Sequence, residues 1–193
     1  ISVQKVLAEV PISDLQDFVK EYARRDRDFA LALKTRFADL VDPGNNTWRA
    51  LLDSLLPRNG GEIKEPDYRR LHRSLADVED RLRVAEETGD QLVRYRINSA
   101  ILLALSPVAA AATSVRKAPL TGLCTEAFNR LMVLLEEISL SPELRARIRS
   151  ELTDAVFVSA FPVEMHRSIL QYLAPVISSE KAFFDEFSKR FFE

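Results

Sequence analysis

Residues 14–37 read DLQDFVKEYARRDRDFALALKTRF. Leu15, Phe18, Val19 and Tyr22 fall on one helical stripe, and Phe29, Leu33, Phe37 and Leu40 fall on another. Between the two stripes lies an unbroken run of charges from Arg24 to Asp28. A single long helix would carry that run around its whole circumference. Two helices joined tightly at Asp26 place it instead at solvated helix ends, with the Asp26 side chain as the cap of the second helix. The spacing therefore predicts a helix over 14–25 and another over 27–41.

The same pairing of stripe and stop signal continues along the chain. Four of the five glycines, Gly44, Gly60, Gly61 and Gly89, stand between apolar-periodic segments. Ser13 with Gln16 has the pattern of a capping box, Asp90 after Gly89 is placed as a cap, and Ser141 precedes Pro142 at a first helical position. Helices are expected over 46–56, 66–88, 91–105, 108–117, 122–139, 142–160, 163–175 and 180–192, with a break at Pro107. No alternating stretch long enough for a strand occurs, and "AVFV" at 155–158 is embedded in a helical pattern. The expectation is an all-α fold, an irregular stack of about ten helices in antiparallel pairs, HEAT-like. It forms a single domain over 1–193, with a subdivision available at the 57–66 loop. Phe29-Leu33-Phe37 has counterparts in Leu144-Ile148-Leu152 and Phe183-Phe187-Phe191, but no clean copies lie between the first two, so a regular solenoid is disfavoured.

Composition bounds the function. With 27 basic and 29 acidic side chains the net charge is −2, which sets up no global field to draw in nucleic acid or an anionic membrane. One cysteine, Cys124, cannot form an internal disulfide, and a reducing, cytoplasmic setting is expected. The opening ISVQKVLAEVP has neither the basic start nor the apolar core of a signal peptide, and the chain reads as part of a longer protein. Nineteen residues, 97–115, pass without a charge, which is a spanning length. Asn98, Ser99, Ser106, Thr113, Ser114 and Pro107 argue instead for helix buried at the centre of the domain.

Catalytic and metal chemistry find little to stand on. His72 and His166 lie outside any metal-ligand spacing, and VEMHRS around His166 lacks the second histidine of a zinc-protease helix, so no metal and no cofactor are expected. Cys124 shares a stripe with Leu123, Ala127, Phe128 and Leu131 and reads as a buried, inert thiol. NGGE at 59–62 is not followed by the Lys-Ser or Lys-Thr of a nucleotide loop. Glu86-Glu87 and Glu136-Glu137 read as solvated helix faces, and Trp48 reads as a core aromatic. The chain is expected not to be an enzyme, although a site assembled without a short motif leaves no sequence signal.

Arg69, Arg70 and Arg73 cluster with His72 at the start of the 66–88 helix and are the candidate partner-binding residues, their planar guanidinium groups suited to an acidic partner. The surrounding segment 58–96 holds nine basic and nine acidic residues, so a nucleic-acid contact, if made, would be local. LQDFVKEYARRDRDFALALKTRF resembles the helical segment that follows the SWIM zinc-binding motif in some bacterial multidomain proteins, a helix, tight acidic turn and second helix that HEAT-like pairs share. The resemblance implies a helical module accompanying another domain. The cysteines and histidine of the zinc motif do not occur here, so no functional residue carries over. The preferred expectation is a non-enzymatic interaction or scaffolding domain with a protein or neighbouring-domain partner and no membrane contact. The alternative is a nucleic-acid-associated accessory module beside a DNA-binding or zinc domain.

Overall fold

The structure, a computed structural model, describes residues 2–41, 46–57, 62–112, 114–158 and 161–179, together with 181, 185, 188 and 189. Among the described residues every regular element is a helix and no strand occurs. In chain order they are α1 (Val3–Glu9), α2 (Ile12–Arg25), α3 (Arg27–Arg36), α4 (Ala38–Val41), α5 (Thr47–Asp53), α6 (Glu65–Thr88), α7 (Gln91–Ala111), α8 (Lys117–Glu136), α9 (Pro142–Val158) and α10 (Val163–Ser179), with a 3-10 turn at Ser114–Arg116 before α8. Of the expected helix over 180–192 the structure describes 181, 185, 188 and 189, all helical, whereas its Phe183-Phe187-Phe191 stripe, and Gly44, Gly60 and Gly61, lie outside the described residues.

The joint at Asp26 forms as its charge run implies. Asp26 closes α2 in an extended conformation and its carboxylate accepts from the Phe29 backbone N–H at 2.9 Å, satisfying one of the orphan donors of α3. Gly89 ends α6 at φ 70°, and Asp90 opens α7 by accepting from the Val93 N–H at 3.0 Å. Ser141 accepts from the Leu144 N–H at 3.2 Å ahead of Pro142. Other starts differ from expectation. Pro11 rather than Ser13 precedes α2, and the Ser13 hydroxyl donates to Asp14 instead of capping. α1, unforeseen, is capped by Ser2. The second helix of the opening pair stops at Arg36, and the chain turns at Phe37 into the short α4. α8 begins at Lys117, well before 122, because Pro119 in the first turn gives up only an N–H that has no partner there.

The expected break at Pro107 does not occur, and α7 runs through it to Ala111; α10 likewise continues through Pro175. A proline inside a helix costs about 3 kcal/mol, but α7 is enclosed. Ile97, Ala100, Ile101, Leu102, Ala104, Leu105, Val108 and Ala109 are all buried, on both sides of the proline. Each fully buried large aliphatic side chain contributes about 1.5–3 kcal/mol, so packing keeps the helix continuous across the proline. The uncharged stretch thus supplies the buried residues of α7 from Ile97 to Ala109, while Val115 near its end is exposed, and no described helix is long and apolar enough to cross a membrane.

α7 packs most extensively on α8 and also against α5, α6 and α9; α3 packs on α6, α2 and α5, and α10 on α9. Helices on both sides of the 57–66 loop share one buried cluster, from Ala38 and Trp48 to Ile169 and Leu173. Trp48 is fully enclosed, and Asn46 both accepts from the Arg49 N–H and donates to the Arg96 carbonyl at 3.0 Å, fixing the start of α5 on α7. The Arg145 guanidinium donates to the Leu135 and Glu137 carbonyls, which closes the C-terminal end of α8 with a cation where the helix dipole favours one.

Candidate functional site

The three candidate arginines lie along the first turns of α6, where Glu65 and Asp67 supply carboxylates within one turn of them. Arg69 Nε donates to Glu65 Oε1 at 2.7 Å, and Arg70 Nη1 to Asp67 Oδ1 at 3.3 Å. Arg70 and Arg73 also reach across to α3, where Asp28 receives Arg73 Nη1 at 2.8 Å and stands 3.6 Å from Arg70 Nε. Glu65 is shared with Arg116, whose Nη2 lies 2.8 Å away and whose guanidinium covers the Tyr68 ring at 5.7 Å. Hydrogen bonds from Arg69 and then Arg116 hold the Glu65 carboxyl below its ordinary range. Arg94 and Arg96 add nothing to this cluster, since Arg94 pairs with Glu137 at 2.6 Å and Arg96 is buried. The basic patch is therefore an alternating lattice of charges that ties α6 to α3.

His72 is exposed, with its ring edge-on to Tyr68, and His166 is half-buried against Phe161. No cluster of His, Cys, Asp or Glu able to hold a metal occurs among the described residues. Cys124 is enclosed, and burial pushes its thiol up to about 11 despite the neighbouring Ser106 hydroxyl. Glu137, read as part of a solvated pair, is instead engaged. Partial burial works against its charge, but hydrogen bonds from Arg94 and Gln91 outweigh that and hold its carboxyl below the usual range.

One constellation with the residue types of a catalytic site has no signature in the sequence. Ser99 on α7 donates to Glu151 on α9 at 2.5 Å, beside the buried Tyr95, whose ring is covered by Arg147 at 5.7 Å. Burial and then the Glu151 carboxylate push the Tyr95 hydroxyl well above the ordinary phenol range. The space lined by Tyr95, Ser99 and Glu151 is about 10 Å³. That is about room for a water and no more, so the cluster serves as a polar cross-tie between α7 and α9.

The larger features are apolar. α1 and α2 bury no residue at all. The stripe read from the sequence is present on α2, but Phe18 is 61% exposed, Tyr22 44% and Ile12 75%, with Val3 and Leu7 of α1 also open. Within the stripe Phe18 stacks on Tyr22, and Tyr22 meets Phe29 of α3 edge-on at 4.9 Å. The second feature is a cleft of about 550 Å³ between α3, α4 and α5, lined by Ala30, Ala38, Ala50 and Leu51 and by the exposed Arg27 and Lys34. Its size is that of a ligand or helix groove. Neither cation makes an ion pair with a described residue. Helical periodicity signalled the stripe without showing that it lacks a partner, and the cleft arises from the turn at Phe37, which the sequence did not announce. Comparison with known proteins finds no matching family model, no matching curated protein and no matching solved structure.

Proposed function

We propose that the chain is a non-enzymatic helical interaction or scaffolding domain, built as a HEAT-like, irregular stack of antiparallel helix pairs, that meets a protein partner or a neighbouring domain of a longer cytoplasmic protein. One observation carries the reading: two N-terminal helices with an ordered apolar stripe and no buried residue. A contiguous exposed apolar face of that kind marks a contact surface, and an amphipathic helix presenting residues at i, i+3, i+4 and i+7 suits helix-to-groove recognition. The resemblance of residues 15–37 to a helical module beside a zinc domain is in keeping with it. Arg69, Arg70 and Arg73 remain on an accessible face for an acidic partner, but Glu65, Asp67 and Asp28 neutralise much of their field, which weighs against nucleic acid as that partner.

The test is paired affinity capture from the native host's extract with the parent chain and a Phe18→Asp/Tyr22→Asp variant as baits. The parent should retain a defined protein that the variant loses, while both melt at the same temperature. Identical recoveries, with the variant melting lower, would make the stripe a structural face and remove the basis of the reading. Duplex DNA serves as the control, and binding that weakens steeply with salt and is lost in Arg69→Ala/Arg70→Ala/Arg73→Ala would favour the nucleic-acid alternative.

A further inference from the structure

The exposed stripe and the open cleft match each other. Asp14 and Glu21 on α2 are seven residues apart, as are Arg27 and Lys34 on α3. Seven residues are two helical turns, about 10 Å along the axis and about 20° off alignment around it. Asp14 and Glu21 thus line one edge of the α2 stripe, next to Phe18, at the pitch at which Arg27 and Lys34 line one edge of the cleft. The cleft lining includes Ala30, Ala38 and Ala50, whose small side chains leave room for an incoming helix. Within one chain α2 leads straight into α3 at Asp26 and packs on it, with Tyr22 against Phe29 close to that joint.

We propose that the occupant of the cleft is α2 of a second copy of this chain, and that the exchange is reciprocal. The inference rests on the interaction reading above and names the partner. Two-fold symmetry seats each α2 in the other copy's α3–α5 cleft, so that the apolar stripe and the unpaired cations are both satisfied by one contact. Asp14 and Glu21 face Arg27 and Lys34 across it. The exposed Glu21–Arg25 pair within α2 is no obstacle, since such i,i+4 pairs are worth only about 0.3–0.5 kcal/mol and exchange readily. The size is close to adequate as well, because each copy contributes the α2 stripe with its two acids and the eleven residues lining the cleft, and a standard interface takes about 20–30 residues a side.

Sedimentation velocity of the full chain with two charge-reversed variants tests it. The parent should form a concentration-dependent dimer. Asp14→Lys/Glu21→Lys should be monomeric, as should Arg27→Glu/Lys34→Glu, because each sets like charges against like. An equimolar mixture of the two should dimerise, since reciprocal seating then matches every pair, and no loss of folding can produce that rescue. A parent that stays monomeric at its highest soluble concentration, variants that dimerise as the parent does, or a mixture that stays monomeric would each overturn the proposal. A monomeric parent that still retains a foreign protein through Phe18 and Tyr22 would leave the interaction reading standing and remove the second copy as its partner. A monomeric parent with no such capture would remove both.

Discussion

Asp28 illustrates how much a single carboxylate settles. In sequence it is one of a run of charges at a turn, and in the structure it receives both Arg70 and Arg73 from α6. Arginines near a helix start oppose the macrodipole, so three alanines at 69, 70 and 73 are expected from sequence to leave stability unchanged or slightly raised. The Asp28 contacts reverse that sign for two of them. Asp28→Ala should lower stability by about 0.5–1 kcal/mol, the scale of a partly exposed pair with two cations on one acid, and a double-mutant cycle with Arg73→Ala by urea denaturation should show coupling. Additive effects would mean that the contact contributes nothing. Glu137 gives a pH-dependent counterpart. Its folded carboxyl lies below the ordinary value of 4.5, so its contribution is full above that value and fades as pH falls through the folded one. Glu137→Gln should therefore melt lower than the parent at pH 7, and the gap should narrow as pH falls below the ordinary carboxylate value and close once the lowered folded value is passed. Cys124, enclosed and with its thiol raised, should react with a thiol reagent only on unfolding; rapid labelling of the native protein would contradict its placement.

At the scale of the helix, local chemistry was legible where one residue decides the backbone. Asp26, Gly89, Asp90 and Ser141 each have a single conformation or hydrogen bond to supply, and each was placed correctly from its neighbours. The expected break at Pro107 fails because the term that overrides it is tertiary: the burial of most of α7 on both sides of the proline. Pro107→Ala should accordingly raise stability, by about 1 kcal/mol of the roughly 3 kcal/mol that an interior proline costs, and thermal denaturation followed by far-ultraviolet circular dichroism reads it. A fall would mean that the ring itself fills space needed at the α7–α8 contact. α2 presents the opposite error. Its stripe is present as the spacing predicts, but periodicity reports only that a face is apolar, not that the chain has anything to lay against it. Phe18→Asp should leave the melting temperature within the range of surface substitutions, about 0.5 kcal/mol.

For the whole molecule, the all-α class and the buried place of Ile97–Ala109 follow from composition and spacing, because a long uncharged helix with polar interruptions has only the interior to occupy. The Ser99–Glu151 tie and the α3–α5 cleft were not legible, since each joins residues through the packing of helices whose mutual placement no local signal records. The molecule divides into helices held around α7 and an N-terminal pair that rests on α3 through α2 without a fully buried residue of its own. That division carries the functional reading, and amide hydrogen exchange of the full chain over a series of protein concentrations tests it most directly. In dilute solution the amides of α2 should exchange orders of magnitude faster than those of α7, and they should slow as concentration rises while α7 stays unchanged. Protection of α2 equal to that of α7 at the lowest concentration would place its apolar stripe inside the fold and contradict the account.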